Sequence, residues 1–345
     1  MKKSVWVIVS VCWLGLLACT GKGDYIEESG SVFHTLYRIK YQSPRFLTEE
    51  IDKELQDFNL SLNPFNPNSI IAKVNNNEPV EVDEWFADVF NKAQEISERT
   101  DGIFDATGAP LFNLWGFGFS KMDSVTPQMI DSTMAFVGYK KIRLEGKQVV
   151  KDDPRVMLNF SAIAKGYACD VVARVLEREG VENYMVNIGG EIVIKGVNQY
   201  GICWRTGIQI PEDDLEGMKE EAEVIIQPCK PCGVATSGDY RNYYEKDGKR
   251  YGHTINPHTG YPAAQNILSA TVVAENCMIA DGYATALMAS GSDKAIEMAR
   301  SIPEIEYYLI YLDEQGKQRA AHSEGMLTYL LNRKALEALD ILENP

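Results

Sequence analysis

The sequence predicts an α+β fold, and three features carry that prediction. Helical periodicities and strand-like alternations interleave without the regular strand–helix–strand rhythm of a parallel sheet. Strand signals come in neighbouring runs, as in NYMVNIGGEIVIKG, where Gly-Gly separates two alternating stretches. Composition is that of an ordinary globular chain, 45% hydrophobic and 24% charged over 345 residues, with no internal repeat or low-complexity linker. That length suits one large domain or two intimate ones, and no composition shift marks a boundary between them.

The N-terminus is set apart from the fold. Lys2 and Lys3 form a positive n-region, and Val5 to Leu17 an apolar stretch too short for a comfortable membrane span. The ending Leu16-Leu17-Ala18-Cys19 resembles a bacterial lipobox, at which the signal is cut before a cysteine that is then acylated. Several acyl chains on Cys19 would give a stable anchor without a transmembrane helix. An uncleaved anchor is the competing reading. The expected organisation is a signal over residues 1–18, a lipidated tether over 19–30 and one folded unit over 31–335.

The elements follow in order. VFHTLYRIKY alternates as a strand. Ile51, Leu55, Phe58 and Leu62 recur at helical spacing after Thr48, a suitable N-cap. Asp83 to Arg99 repeats the pattern through Trp85, Val89, Phe90, Ala93 and Ile96. Thr126-Pro127 opens a helix that Gly138 stops. KKIRLEG, QVVKD and RVMLNF read as strands, and Lys165 to Gly180 as a helix. Further strands are expected around 224–236, 241–254 and 267–274. A small-residue helix from Cys277 to Ser290, a helix over 292–301, the strand YYLIYL and a short C-terminal helix complete the chain. The acidic stretch PEDDLEGMKEEAE reads as a solvated surface excursion.

Charge and cysteines narrow the function. The formal charge is −15, and becomes −17 once residues 1–18 are removed. Such a chain has no general electrostatic footprint for nucleic acid and needs a local cation to hold a phosphate-rich ligand. Seven cysteines, two of them at 12 and 19, leave an odd, scattered set that is no disulfide framework. Cys229-Lys-Pro-Cys232 has redox-pair spacing but stands alone, so a structural disulfide or two ordinary thiols is the preferred reading.

Several stretches offer chemistry. On a helix, Asp281 and Thr285 lie at i and i+4 on one face, an oxygen pair suited to a hard cation such as Mg²⁺; the same spacing also fits a helix buried for packing. NFSAIAKGYACD runs from strand to helix, where Ser161 could cap, amides could face an anion, Lys165 adds positive charge and a carbonyl could complete a metal site. NLWGFG sets aromatic faces among glycines, suiting either a planar ligand or a core. NIGGE is a glycine turn without dinucleotide spacing, and TSGDYR offers hydroxyls and an arginine. Two of four histidines, His253 and His258, fall in GHTINPHTGYP, where either could be a general base or an exposed turn residue. No GxSxG, HExxH or Walker motif is present.

Taken together and in order, NLWGFG, SAIAKGYACD, NIGGE, ATSGDYR, HTINPHTG and ADGYATALM resemble the ApbE family of FAD:protein FMN transferases, from about Val32 to Gly291. The resemblance implies a single α+β unit related to the T-fold, with FAD in a cleft. It implies Mg²⁺ held by the carbonyl of Ala162 and by Asp281 and Thr285. It also implies FAD contacts from Phe33, from Asn113, Leu114, Trp115 and Gly116, from Asn159 and Lys165, and more weakly from Gly189, Ser237 and Ile255. The family's motif histidine maps to His253, the expected general base, with Asp281 as the alternative; His258 occupies a variable position. The chain departs from the family at His34, where Gly is usual, and at Asn159, where Asp is common. The implied reaction moves FMN from FAD to a Thr or Ser hydroxyl of an exported or membrane flavoprotein carrying a [DN]-x-x-[ST]-G-A-[ST]-like motif, with release of AMP. An FAD pyrophosphatase and a non-catalytic flavin-binding lipoprotein are the competing readings. The enzyme is expected on the periplasmic side of a membrane, anchored through Cys19.

Overall fold

A computed structural model describes residues 23–116, 125–209, 223–238, 243–246, 249–252, 255–262 and 266–331. Cys19, His253, Phe117-Gly118, Asp239 to Arg241, most of the acidic excursion and any helix beyond residue 331 lie outside the described residues.

The first half of the chain contributes strands β1 (Asp24–Val32) and β2 (Thr35–Ser43), then helices α1 (Thr48–Leu62), α2 (Ile70–Asn75), α3 (Glu84–Arg99), α4 (Ala109–Leu114) and α5 (Pro127–Met134). A small hairpin of β3 (Ile142–Glu145) and β4 (Gln148–Lys151) precedes α6 (Ala164–Arg178), β5 (Tyr184–Ile188) and β6 (Glu191–Lys195). Next come β7 (Thr206–Gln209), β8 (Glu223–Ile226), β9 (Cys232–Gly238), β10 (Tyr243–Lys246), β11 (Lys249–Gly252) and β12 (Ile267–Ala274). The order ends with α7 (Cys277–Met288), α8 (Ser292–Arg300), β13 (Glu306–Leu312), β14 (Gln318–His322) and the one-turn α9 (Glu324–Leu327).

Eight strands form one sheet in the order β1-β2-β5-β6-β9-β12-β13-β14, and every neighbouring pair is antiparallel. Segregated helices on an antiparallel sheet are the expected α+β architecture. On the helical face, α6 packs on β5 and β6, and α7 on β9 and β12. The main core lies there, joining Ile39, Val186, Val193 and Val272 of the sheet to Phe86, Ile96, Val172 and Leu287 of the helices. A second apolar cluster covers the other face, with Ile192, Ile194 and Ile310 under Trp204, Ile208, Val224 and Met326.

Helix starts follow local chemistry where a side chain can reach the orphan amides. Asp83 accepts from Phe86 N at 2.9 Å to open α3, and Asn276 accepts from Ile279 N at 2.9 Å to open α7. Two expected caps are absent. Thr48 is the first helical residue of α1, whose N-cap is Leu47, and Ser161 lies two residues before Ile163, the N-cap of α6.

Three further expectations need correction. The tether does not extend to residue 30: Asp24–Val32 pairs with β2 from Asp24↔Ser43 to Val32↔Thr35. An edge strand is held by backbone bonds and carries little apolar periodicity, so DYIEESGSV hides its strand. RVMLNF is not a strand beyond the isolated bridge Gly108↔Met157. There the buried Asn75 side chain takes the place of a neighbouring strand, accepting from Leu158 N at 2.8 Å and donating to Leu158 O at 2.8 Å. The CxxC cysteines do not pair with each other: Cys229 bonds to Cys203, 26 residues earlier, while Cys232 is a buried thiol.

Candidate active site

The site forms where α6, α7 and the β5–β6 turn converge. Gly166 makes the convergence possible. A Cβ there would collide with the Cys277 carbonyl and lie 2.7 Å from Asp281 Cβ, so only glycine lets the two helices approach this closely. The same contact uses the Gly166 amide, which donates to Asp281 Oδ2 at 2.9 Å. Asp281 is only 3% exposed, and its Oδ1 has no hydrogen-bond partner among the described residues. One helical turn later, Thr285 Oγ1 lies 3.4 Å from the Ala162 carbonyl and 3.3 Å from Ser237 Oγ. These are long for hydroxyl hydrogen bonds, so the Thr285 oxygen is loosely committed.

Ala162 reaches this point because Asn159 shapes the preceding turn. Asn159 Oδ1 accepts from Ser161 N at 2.8 Å, and its own amide is fixed to Ala106 O at 2.8 Å. At the other helix, Asp170 holds the start of α7 by accepting from Cys277 N and Met278 N, each at 2.8 Å. Burial pushes the Asp170 carboxyl up to about 7 against those two bonds.

Glu191, the first residue of β6, joins this cluster. It is 3% exposed; Oε1 pairs with Lys165 Nζ, while Oε2 is buried without a hydrogen-bond partner. Burial and the Asp281 carboxylate push Glu191 up to about 7, with Lys165 opposing them. Asp281 is likewise raised by burial, which Lys165 and the Gly166 amide offset in part. Burial would lower Lys165, but the Glu191 and Asp281 carboxylates outweigh it and hold the ammonium charged.

Two buried carboxylates therefore share one lysine. An orphaned buried oxygen costs about 1–3 kcal/mol, and the surplus negative charge costs more unless it is compensated. Among the described residues, no three His, Cys, Asp or Glu side chains are grouped to hold a metal by themselves. The donor set is instead the carbonyl of Ala162, the hydroxyl of Thr285 and the carboxylate of Asp281. All three are oxygens, which suits a hard divalent cation, and the charge surplus is of the sign such an ion neutralises.

Lys165 also lines a cleft of about 190 Å³ with Phe33, Phe58, Phe65, Ser161 and Ala164. Phe33 and His34 form the two-residue β1–β2 turn, and both have left-handed backbones, with φ of 52° and 60°. That conformation favours glycine or asparagine, so the turn carries strain at the cleft mouth. The Phe33 ring packs 5.5 Å from Phe58, and His34 meets Phe65 edge-on at 5.9 Å.

Thus Phe33, Asn159, Ala162, Lys165, Gly189, Ser237, Asp281 and Thr285 belong to one region. Gly189 joins it through the β5–β6 turn, where its Cβ position is 3.4 Å from Glu191 Oε2. Asn113, Leu114, Trp115, Gly116 and Ile255 form a second group. Ile255 packs with Leu111 and Val137, Trp115 packs against them, and the Trp115 indole N–H donates to Gly260 O at 2.7 Å. The Trp115 ring also tilts against Tyr261 at 5.8 Å. Trp115 thus clamps the turn that follows residue 254. The residue missed by sequence reasoning is Glu191; its signal was a lone acid opening the apolar run IVI of β6.

The ApbE family profile matches residues 33–309. An FAD:protein FMN transferase of Vibrio cholerae is 37% identical over 331 residues, covering 92% of this chain and 97% of that protein. One of Haemophilus influenzae is 37% identical over 334 residues, covering 92% and 95%. Among solved structures, the flavin transferase ApbE from Vibrio cholerae superposes with a TM-score of 0.81 at 35% identity, covering 89% of this chain and 99% of that one. Apo flavinyl transferase ApbE from Pseudomonas stutzeri gives 0.78 at 28% identity, covering 89% and 96%. Fold and site therefore define an enzyme of the flavin-transferase class. The chain belongs to the ApbE family.

Proposed function

We propose that this enzyme transfers FMN from FAD to a Thr or Ser hydroxyl of an acceptor flavoprotein, in a Mg²⁺-dependent reaction that releases AMP. The observation that carries this reading is the oxygen set of Ala162, Asp281 and Thr285 beside Lys165 at the cleft. The Ala162 carbonyl, the Asp281 carboxylate and the Thr285 hydroxyl would hold Mg²⁺, which would supply neutralisation of pyrophosphate charge and of charge developing at phosphorus. The Lys165 ammonium faces a pyrophosphate oxygen, and the Phe33 side of the cleft covers the flavin nucleotide. The acceptor oxygen forms a bond to the FMN phosphorus as the bond to the AMP phosphate breaks, so AMP leaves with the bridging oxygen. His253 takes the hydroxyl proton; Asp281 is the alternative base, although a metal-bound carboxylate is less free to accept one. Phe33, Asn113 to Gly116, Asn159, Gly189, Ser237 and Ile255 are the remaining FAD contacts of this reading.

The acceptors are exported or membrane flavoproteins with a [DN]-x-x-[ST]-G-A-[ST]-like motif. Cys19 carries the lipid that anchors the enzyme on the periplasmic side. Mass spectrometry of an acceptor-motif protein incubated with enzyme, FAD and Mg²⁺ tests the reaction. An FMN-mass increment that disappears in EDTA is expected. FMN and AMP without acceptor modification would make the enzyme a pyrophosphatase, and intact FAD throughout would make it a carrier.

A further inference from the structure

We infer that Glu191 is the positioning residue that holds Lys165 in the flavin-nucleotide cleft, an assignment that rests on the FAD reading above. Lys165 lines the cleft and is partly exposed, whereas Glu191 stands behind it, almost wholly buried, with Oε1 on the lysine Nζ. A free lysine side chain samples many rotamers, and a fixed counter-ion at its tip selects one. Stability does not explain the pair. Burying an ion pair is often no better than burying apolar side chains of the same volume, and here the second carboxylate oxygen has no partner at all. Retaining such a carboxylate makes physical sense if it acts through the lysine.

Its placement fits that role. Glu191 opens β6 directly after Gly189 and Gly190, whose positive φ of 68° and 108° turns the chain back under the cleft. The backbone beneath is also tied down, because the Cys169 thiol donates to Glu191 O at 3.2 Å. Around the pair stand Asp281, which acts on both groups, and the Gly166 amide that holds Asp281.

The sign of the effect separates positioning from plain electrostatics. Removing a negative charge near a bound pyrophosphate should tighten FAD on Coulomb grounds alone. Weaker FAD binding by the folded variant therefore acts through Lys165, whose placement and ammonium charge Glu191 maintains. Equilibrium FAD binding, followed by flavin fluorescence with Mg²⁺ present and acceptor protein left out so that no transfer proceeds, should weaken about tenfold in Glu191→Met. Glu191→Gln, which keeps an oxygen for the ammonium, should recover part of that loss. In a Lys165→Met background, Glu191→Met should leave FAD binding unchanged or tighten it. The Lys165→Met/Glu191→Met double variant should unfold no earlier than Lys165→Met, which controls for folding. FAD binding equal to or tighter than wild type in Glu191→Met overturns the inference, as does an equal loss in both backgrounds. If the wild-type enzyme itself binds no FAD, the flavin reading falls and takes this one with it.

Discussion

On β6, Val193 packs into the helix-covered core while Ile192 and Ile194 pack into the opposite one, so one strand serves two different environments. The helical face buries Glu191, Asp281 and part of Lys165 among its apolar residues. The opposite face is closed by the paired strands β7 and β8 and the α9 region, and Cys203–Cys229 ties the chain entering β7 to the chain leaving β8. The helical face sets a charged constellation within the main apolar core, and the opposite face is closed by a smaller apolar cluster and a covalent tie. The difference teaches that the charged site is confined to one face of the sheet, while the next side chain along the same strand serves packing on the other.

That separation can be broken at either face. Asp281→Ala should have the largest effect, lowering Mg²⁺-dependent FMN transfer by roughly 100- to 1,000-fold while leaving the fold intact. Turnover near wild type would remove the proposed cation site. Cys203→Ser should cost about 3 kcal/mol of stability in urea unfolding, given the 26-residue separation it closes. FAD affinity should be unchanged in that variant; a parallel loss would show that the two faces are coupled after all.

A subtler effect concerns pH. The folded pKa of Glu191 is raised from 4.5 to about 7, so the native state holds its proton where the unfolded chain has lost it. This contribution is full below about pH 4.5 and is lost as pH rises toward 7, so metal-free stability should fall across that window. Glu191→Gln should flatten the decline, and an unchanged slope would assign it to other groups. The smallest effect is expected at the cleft mouth. His34→Gly relieves a left-handed φ of 60° and should stabilise by up to about 1 kcal/mol, less whatever the edge contact with Phe65 supplies. A net loss by thermal unfolding would mean that the aromatic contact outweighs the strain.

Much of the molecule was legible before folding. The periodicities of α1, α3, α6 and α7 and the strands around Gly189-Gly190 follow from residue spacing, because an amphipathic face is written locally. The ordered motifs located Asp281, Thr285, Lys165 and the Ala162 turn, which the fold brings into one region. Less legible were β1, whose edge pairing leaves no apolar period, and residues 155–160, where Leu158 pairs with the Asn75 side chain instead of a neighbouring strand. Two further features depend on long-range proximity: Cys229 pairs with Cys203 across a hairpin, and Glu191 meets Lys165 from 26 residues away. Sequence by itself determined the fold class and the family, since these rest on local periodicity and ordered motifs. Only the tertiary structure decided which charges share one buried space, because burial and the distance between carboxylates arise when α6, α7 and the β5–β6 turn pack together.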